Sequence, residues 1–178
     1  MAEGCFQLLS PSRFGDFSIA MRGEDEYGTG YFVDGVTEAI EIARVDVDVD
    51  VSIQAFRKAA PDYLQTTKGV PLVSQAFRDE ALVHFANDID VVEAQLHLNG
   101  GTVDFFALRL KALALIDVDR SLFSDIGGIR ILTDPVFDPS VPDFYLARDE
   151  AFRDFIVASG ALVALIVDKK LRVEYMQY

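Results

Sequence analysis

The sequence predicts an α+β fold, a largely antiparallel sheet with two or three helices packed against it. Three observations lead there. Strand-period segments come in runs instead of alternating one by one with helices, which argues against a βαβ array. A hairpin signal, Asn99-Gly100-Gly101, separates two long alternating segments. Two further segments carry apolar residues at helical spacing behind good N-caps, Ser52 and Ser74.

Residues 1 to about 28 mix polarities with scattered glycines and read as short strands and loops. Tyr31 to Val33 reads as a strand closed by Asp34-Gly35. Val45 to Val51 alternates strictly between Val and Asp. As a strand it places Val on one face and Asp46, Asp48 and Asp50 on the other, about 7 Å apart. Such a charged face suits an edge strand protected against aggregation. Ser52 then caps a short helix with Ile53, Phe56 and Ala60 on one side and Pro61 ending it. Val70 to Val73 is a short apolar strand. Ser74 caps a helix from Gln75 to about Ala86, with Phe77, Ala81 and Phe85 inward.

From Ile89 the period switches to two. Val92, Ala94, Leu96 and Leu98 alternate with Glu93, Gln95 and His97, and Thr102 to Leu110 returns after the turn, where Asn-Gly suits a type I′ geometry. Phe105 and Phe106 must then face opposite sides, so both sides of this sheet are expected to be covered. Leu113 to Val118 and Ile129 to Leu132 are further strands. Asp134-Pro135 and Asp138-Pro139 bracket a loop containing Phe137, and Phe144 to Leu146 is short and extended. Asp149 is placed to cap a helix with Phe152, Phe155 and Ile156 inward, ended by Gly160. Ala161 to Val167 and Leu171 to Tyr175 read as a terminal hairpin around Lys169-Lys170.

Composition bounds the function. The 178 residues are 51% hydrophobic, enough for a real core and too apolar for a mainly disordered chain. Sixteen Lys and Arg stand against 29 Asp and Glu, a net charge of −13 and a pI near 4.4. That field repels phosphate backbones and attracts basic partners, so direct nucleic-acid binding is not expected. A single cysteine, Cys5, allows no intrachain disulfide and suits a reducing compartment. No secretory signal is visible, and the longest strictly apolar run, Ala161 to Val167, is far below the roughly 20 residues of a spanning helix. The expectation is a cytoplasmic protein that does not use the membrane.

No motif commits the chain to chemistry. The Asp46, Asp48, Asp50 spacing resembles a calcium loop, but the sixth position, where that loop needs Gly, is Val51. Gly28-Thr29-Gly30 lacks the third glycine and the Lys of a phosphate loop. His84 and His97, the only histidines, have no ligand-spaced companions, and no Gly-x-Ser-x-Gly elbow is present. No catalytic, metal-binding or cofactor-binding residues are assigned, and no cofactor is expected. The concentrated feature is charge. Between Glu24 and Asp50 nine carboxylates face one base, Arg44. Glu24, Asp25, Glu26, Asp46, Asp48 and Asp50 are therefore the candidate partner-binding residues.

From Pro61 onward the chain resembles bacterial immunity proteins of polymorphic toxin systems, the type named after a Myxococcus xanthus member and formerly a domain of unknown function. Pro61-Asp62-Tyr63-Leu64 looks like that family's Pro-Asp-aromatic-Leu. Pro71-Leu72-Val73-Ser74 before an amphipathic helix looks like its next segment. Ala114 to Ser121, an apolar strand ending in Asp117 with Ser121 four residues on, looks like its most recognisable element. Ile129 to Leu132, Phe144-Tyr145-Leu146 and the segment ending in Gly160 follow in the family's order. About 100 residues are covered. The chain is thus expected to be a single domain, 1–178, with an acidic N-terminal part, 1–60, and a family-like core, 61–178. The resemblance implies a non-enzymatic protein that binds and neutralises a cognate bacterial toxin, and the acidic surface suits a basic one. A subunit of a larger bacterial assembly, or an enzyme using an unrecognised carboxylate pair, are the alternatives. Asp117 and Ser121 are expected to satisfy backbone N–H groups, not to form a site.

Overall fold

The structure is a computed structural model that describes residues 4–14, 17–22, 29–35 and 42–178. In chain order its elements are β1 (Cys5–Leu9), β2 (Ile19–Met21), α1 (Thr29–Phe32), β3 (Arg44–Ser52), α2 (Ile53–Ala59), β4 (Tyr63–Gln65), β5 (Pro71–Val73), α3 (Gln75–His84), β6 (Ile89–Asn99), β7 (Gly101–Leu110), β8 (Ala112–Leu113), β9 (Leu122–Ile126), β10 (Ile129–Asp134), β11 (Leu146–Asp149), β12 (Ile156–Ser159), α4 (Gly160–Asp168) and β13 (Glu174–Gln177).

The expected largely antiparallel α+β arrangement is overturned. Strand takes 44% and helix 22%, the sheets are mixed, and the longest helix among the described residues, α3, has ten residues. A six-stranded sheet runs β2-β3-β6-β7-β5-β4 and curls into a half-barrel; a five-stranded sheet runs β13-β1-β12-β11-β8. Each holds one parallel pair, β3 with β6 and β8 with β11. The reason is topological. Period-two alternation reports which face a residue takes, not the direction of the neighbouring strand. β3 and β6 are joined by a crossover through α2, β4, β5 and α3, long enough for a parallel pair.

Local signals hold where a cap or turn decides them. Ser52 Oγ accepts from Ala55 N at 3.2 Å and Ser74 Oγ from Phe77 N at 3.2 Å, starting α2 and α3 as expected. The β6–β7 turn is where expected, but only Gly100 has positive φ, at 98°, whereas a type I′ turn needs two such residues. Asn99 instead donates from Nδ2 to Asp50 Oδ1 at 3.1 Å.

Three other expectations fail for local reasons. Ala161 to Val167 is helix α4, not a strand. Ser159 Oγ caps it by accepting from Leu162 N, and Gly160 begins it instead of ending a preceding helix. An apolar run of seven has no period that separates a buried strand from a buried helix. Asp149 ends β11, and strand β12 stands where a helix was expected. Tyr31 and Phe32 lie in the helical turn α1, not a strand.

Two cores share the six-stranded sheet. On one face Val45, Val47, Val49 and Val51 of β3 join Leu96 and Leu98 of β6, Phe105 of β7 and Phe56 of α2. On the other, Tyr63, Val73, Ile89 and Leu108 meet Phe77 and Ala81 of α3, Leu162 and Ile166 of α4, and Leu8, Leu146 and Ile156 of the five-stranded sheet. Phe105 and Phe106 therefore both find cover: Phe105 is 4% exposed, and the Arg78 guanidinium lies 4.1 Å from the Phe106 ring centre.

Asp62 and Ser74, from two of the segments that carry the family resemblance, form a connected joint. Asp62 accepts from Ser74 Oγ and, at 2.7 Å, from Arg172 N, tying β4, the start of α3 and the segment before β13. Ser74→Ala removes a cap and this tie together. It is expected to cost about 1–2 kcal/mol, read as a lower urea midpoint with an unchanged slope.

Candidate functional site

The three aspartates of β3 project from the sheet face that the second core leaves open. β3 is not an edge strand; it lies between β2 and β6. That position brings hydrogen-bond donors to the carboxylates. Asp48 accepts from Arg22 Nε at 2.9 Å and Nη2 at 2.5 Å. Asp46 lies 2.7 Å from His97 Nε2 and 3.4 Å from Arg44 Nη2. Arg44 Nη2 also donates to Gln95 Oε1 on β6, and Asp50 accepts from Asn99. The trio is a cross-strand ladder of hydrogen-bonded carboxylates, with arginines on Asp46 and Asp48 and an amide on Asp50, not a free single-sign patch. Arg22 and His97 enter from outside the acidic stretch. Glu24, Asp25 and Glu26 lie outside the described residues, so only the Asp46, Asp48, Asp50 half of the candidate surface is placed.

The hydrogen bond from His97, with Arg44 adding to it, holds Asp46 below the usual carboxylate range; the Arg22 hydrogen bond does the same for Asp48. A lowered native pKa stabilises the fold above the unfolded-state value and is lost as pH falls through the native one. Wild type should therefore lose stability below about pH 4. Asp46→Asn/Asp48→Asn should flatten that acid limb in urea titrations, leaving the shape of the profile above pH 5 unchanged.

Other expected positions resolve as structure. Asp117 Oδ1 accepts from Asp119 N and Arg120 N, and Ser121 Oγ accepts from Val136 N at 2.9 Å, the backbone role expected of them. His84 sits 3.5 Å from Glu80 on its own helix. Lys169 reaches Glu80 at 3.1 Å. Burial pushes the Cys5 thiol up, away from reactive thiolate character. Phe137 packs on Tyr178, with ring centres 5.2 Å apart, and helps cover the five-stranded sheet. Among the described residues no group of three His, Cys, Asp or Glu is arranged to hold a metal ion. Among them, too, no helix is long and apolar enough to cross a membrane.

Two charged side chains are deeply buried: Asp149, expected as a helix cap, accepts from Ala151 N and Phe152 N as a cap would although no helix follows, and Arg148 carries no sequence signal. Asp149, 1% exposed, accepts four backbone N–H bonds: Leu115 and Ile116 on Oδ2, Ala151 and Phe152 on Oδ1. Arg148 is equally buried, donates to the carbonyls of Gly69 and Arg153, and leaves Nε without a partner. Burial lowers its pKa to about 10, so it stays charged at neutral pH. It clasps the β4–β5 turn to the segment after β11. Nearby, a cavity of about 600 Å³ is lined by charges of both signs, among them Asp34, Asp90, Arg109 and Arg153. Two of its three lining cations are already engaged: Arg109 pairs with Asp90 at 3.3 Å, and Arg153 donates to Val33 O at 3.2 Å, while Lys111 is the third.

The feature that most departs from an ordinary surface is the β9–β10 ribbon. The two strands pair only with each other. Gly127 and Gly128 both take positive φ, 63° and 83°, the signature of a type I′ turn between the paired Ile126 and Ile129. One face carries Phe123, which packs on Phe152 at 5.8 Å and lies 3.8 Å under the Arg130 guanidinium. The opposite face carries Leu122, Ile126, Ile129 and Ile131, exposed by 62%, 62%, 67% and 42%. The signal was present in Ile126-Gly-Gly-Ile129, a two-residue glycine turn between alternating segments. The expected strand, Ile129 to Leu132, is only the second of the two.

No protein-family model matches the chain, and no curated protein matches it.

Proposed function

We propose that this chain is a non-catalytic, cytoplasmic immunity protein that binds a cognate bacterial protein toxin and neutralises it. The observation that carries the reading is the β9–β10 ribbon, whose one face shows four large aliphatic side chains to solvent. Monomers keep such clustered apolar surface mainly where something docks. The net charge of −13 supports a basic partner, steered by the long-range field. The resemblance between Pro61 and Gly160 supplies the toxin as that partner. The paired charges at Asp46 and Asp48 make the ladder a poorer anchor than its composition suggests, because exposed pairs contribute little net energy.

The test is capture of bound proteins by the tagged chain from its source cells, with identification by mass spectrometry. One large partner with a toxin-like C-terminal domain, bound about one to one, is the expected result. No partner at low salt, with folded bait, contradicts it. A second reading, a subunit of a larger assembly, draws on a separate group of exposed apolar residues, Leu82 and Val83 on α3 and Val167 on α4. It predicts a fixed complex of several proteins.

A further inference from the structure

The ribbon has a shape and a charge pattern as well as an apolar face. Each strand is about 17–20 Å long and the pair is two strands wide, so the ribbon is narrow enough to enter a cleft. Between residues 117 and 138 the chain carries five aspartates and two arginines. Both arginines are engaged: Arg120 lies 3.9 Å from Asp117, and Arg130 stacks on Phe123 on the covered side. On the aliphatic face Ser124 pairs with Ile131, and past the register shift at Thr133, Asp134 pairs with Leu122 at the end of the ribbon. Asp119 and Asp134 are exposed at its borders with no ion-pair partner among the described residues, while Asp125, across from Arg130, is exposed on the other face. The surface is thus aliphatic at its centre and acidic at its rim.

We propose that the β9–β10 ribbon is the docking element and that its occupant is a protein cleft with an apolar floor and a Lys- and Arg-lined rim. This deepens the binding-protein reading and rests on it for the existence of a partner. Charge complementarity selects the occupant. A second copy of this chain would bring the same acidic rim against its own, with −13 on each copy. Ribbon against ribbon would also cover only roughly 400 Å² of aliphatic surface per copy, about half the ~800 Å² per partner of a stable interface. A basic cleft gains on both counts, because its walls add contact beyond the face and its rim meets unpaired carboxylates. Ile126 and Ile129, beside the turn, enter deepest.

The experiment uses three full-length baits in the source cells: wild type, Ile129→Asp/Ile131→Asp, and Asp46→Asn/Asp48→Asn. The protein captured by wild type is identified, purified and titrated against each bait at two salt concentrations, with hydrogen exchange followed on this chain. The expected partner has a pI above 9. Its Kd is weakened at least 100-fold by Ile129→Asp/Ile131→Asp and less than fivefold by Asp46→Asn/Asp48→Asn, and its binding protects residues 122–134. Thermal unfolding of the ribbon variant should match wild type within a few degrees, since both side chains are exposed. An acidic partner, a Kd unchanged by the ribbon variant, a homodimer that this variant disperses, or no partner at all would each overturn the proposal. The two readings separate cleanly. A toxin neutralised equally well by the ribbon variant removes the docking element and leaves the immunity reading. A harmless protein that needs the ribbon does the reverse.

Discussion

Asp149→Ala is expected to destabilise the protein by about 3–5 kcal/mol, the cost of breaking a buried charged network. Each carboxylate oxygen serves two backbone donors, Leu115 and Ile116 on one side, Ala151 and Phe152 on the other. With the side chain gone, four N–H groups lose their acceptor, at a residue only 1% exposed. Water cannot replace it without opening the joint between β11 and the segment after β8. Asp149→Asn tests the charge specifically, since its amide NH2 must face a pair of donors where an oxygen stood. It should recover only part of the loss. For a chain of this length the alanine variant should melt about 10 °C or more below wild type. A loss under 1 kcal/mol would mean that these four bonds do not form in solution.

Phe77→Ala is the second large effect, about 3–5 kcal/mol, as for other buried Phe truncations. Phe77 is 1% exposed and sits where α3 meets both sheets. Its ring centre is 6.4 Å from that of Tyr63 on β4 and 6.5 Å from that of Phe85 at the end of α3. Phe85 stacks in turn on Tyr145, at 5.0 Å, just before β11. Tyr63 has no exposed surface, and burial pushes its hydroxyl pKa up. The cavity left by Phe77 therefore opens between elements of both sheets, which should still unfold in one transition. Two separated transitions, with the five-stranded sheet unaffected, would show that the sheets do not share this core.

What the sequence made legible was local. Val45 to Val51 declares its faces by period, and Ser52 and Ser74 declare helix starts by capping, because each signal is complete within a few residues. What it hid was pairing. Nothing in β3 says that β6 lies parallel beside it, or that Arg22 and His97 will meet Asp48 and Asp46 from outside the strand. The acidic patch was visible as composition, but its compensation was a matter of topology. The ribbon failed differently. Gly127 and Gly128 gave an adequate turn signal, yet the exposure of Ile126, Ile129 and Ile131 is not written locally, since the same alternation would serve a buried strand equally well. The run from Ala161 to Val167 carries no usable period, and the cap at Ser159 decided it.

The central claim is neutralisation by binding, and growth measures it most directly. The toxin domain of the captured partner is placed under inducible control in a host cell, alone or with this chain in excess. Wild type is expected to restore growth, Ile129→Asp/Ile131→Asp to leave growth arrested at equal expression, and Asp46→Asn/Asp48→Asn to protect like wild type. Continued arrest in the presence of folded, abundant wild-type chain, or a partner whose induction does no harm, would contradict the account.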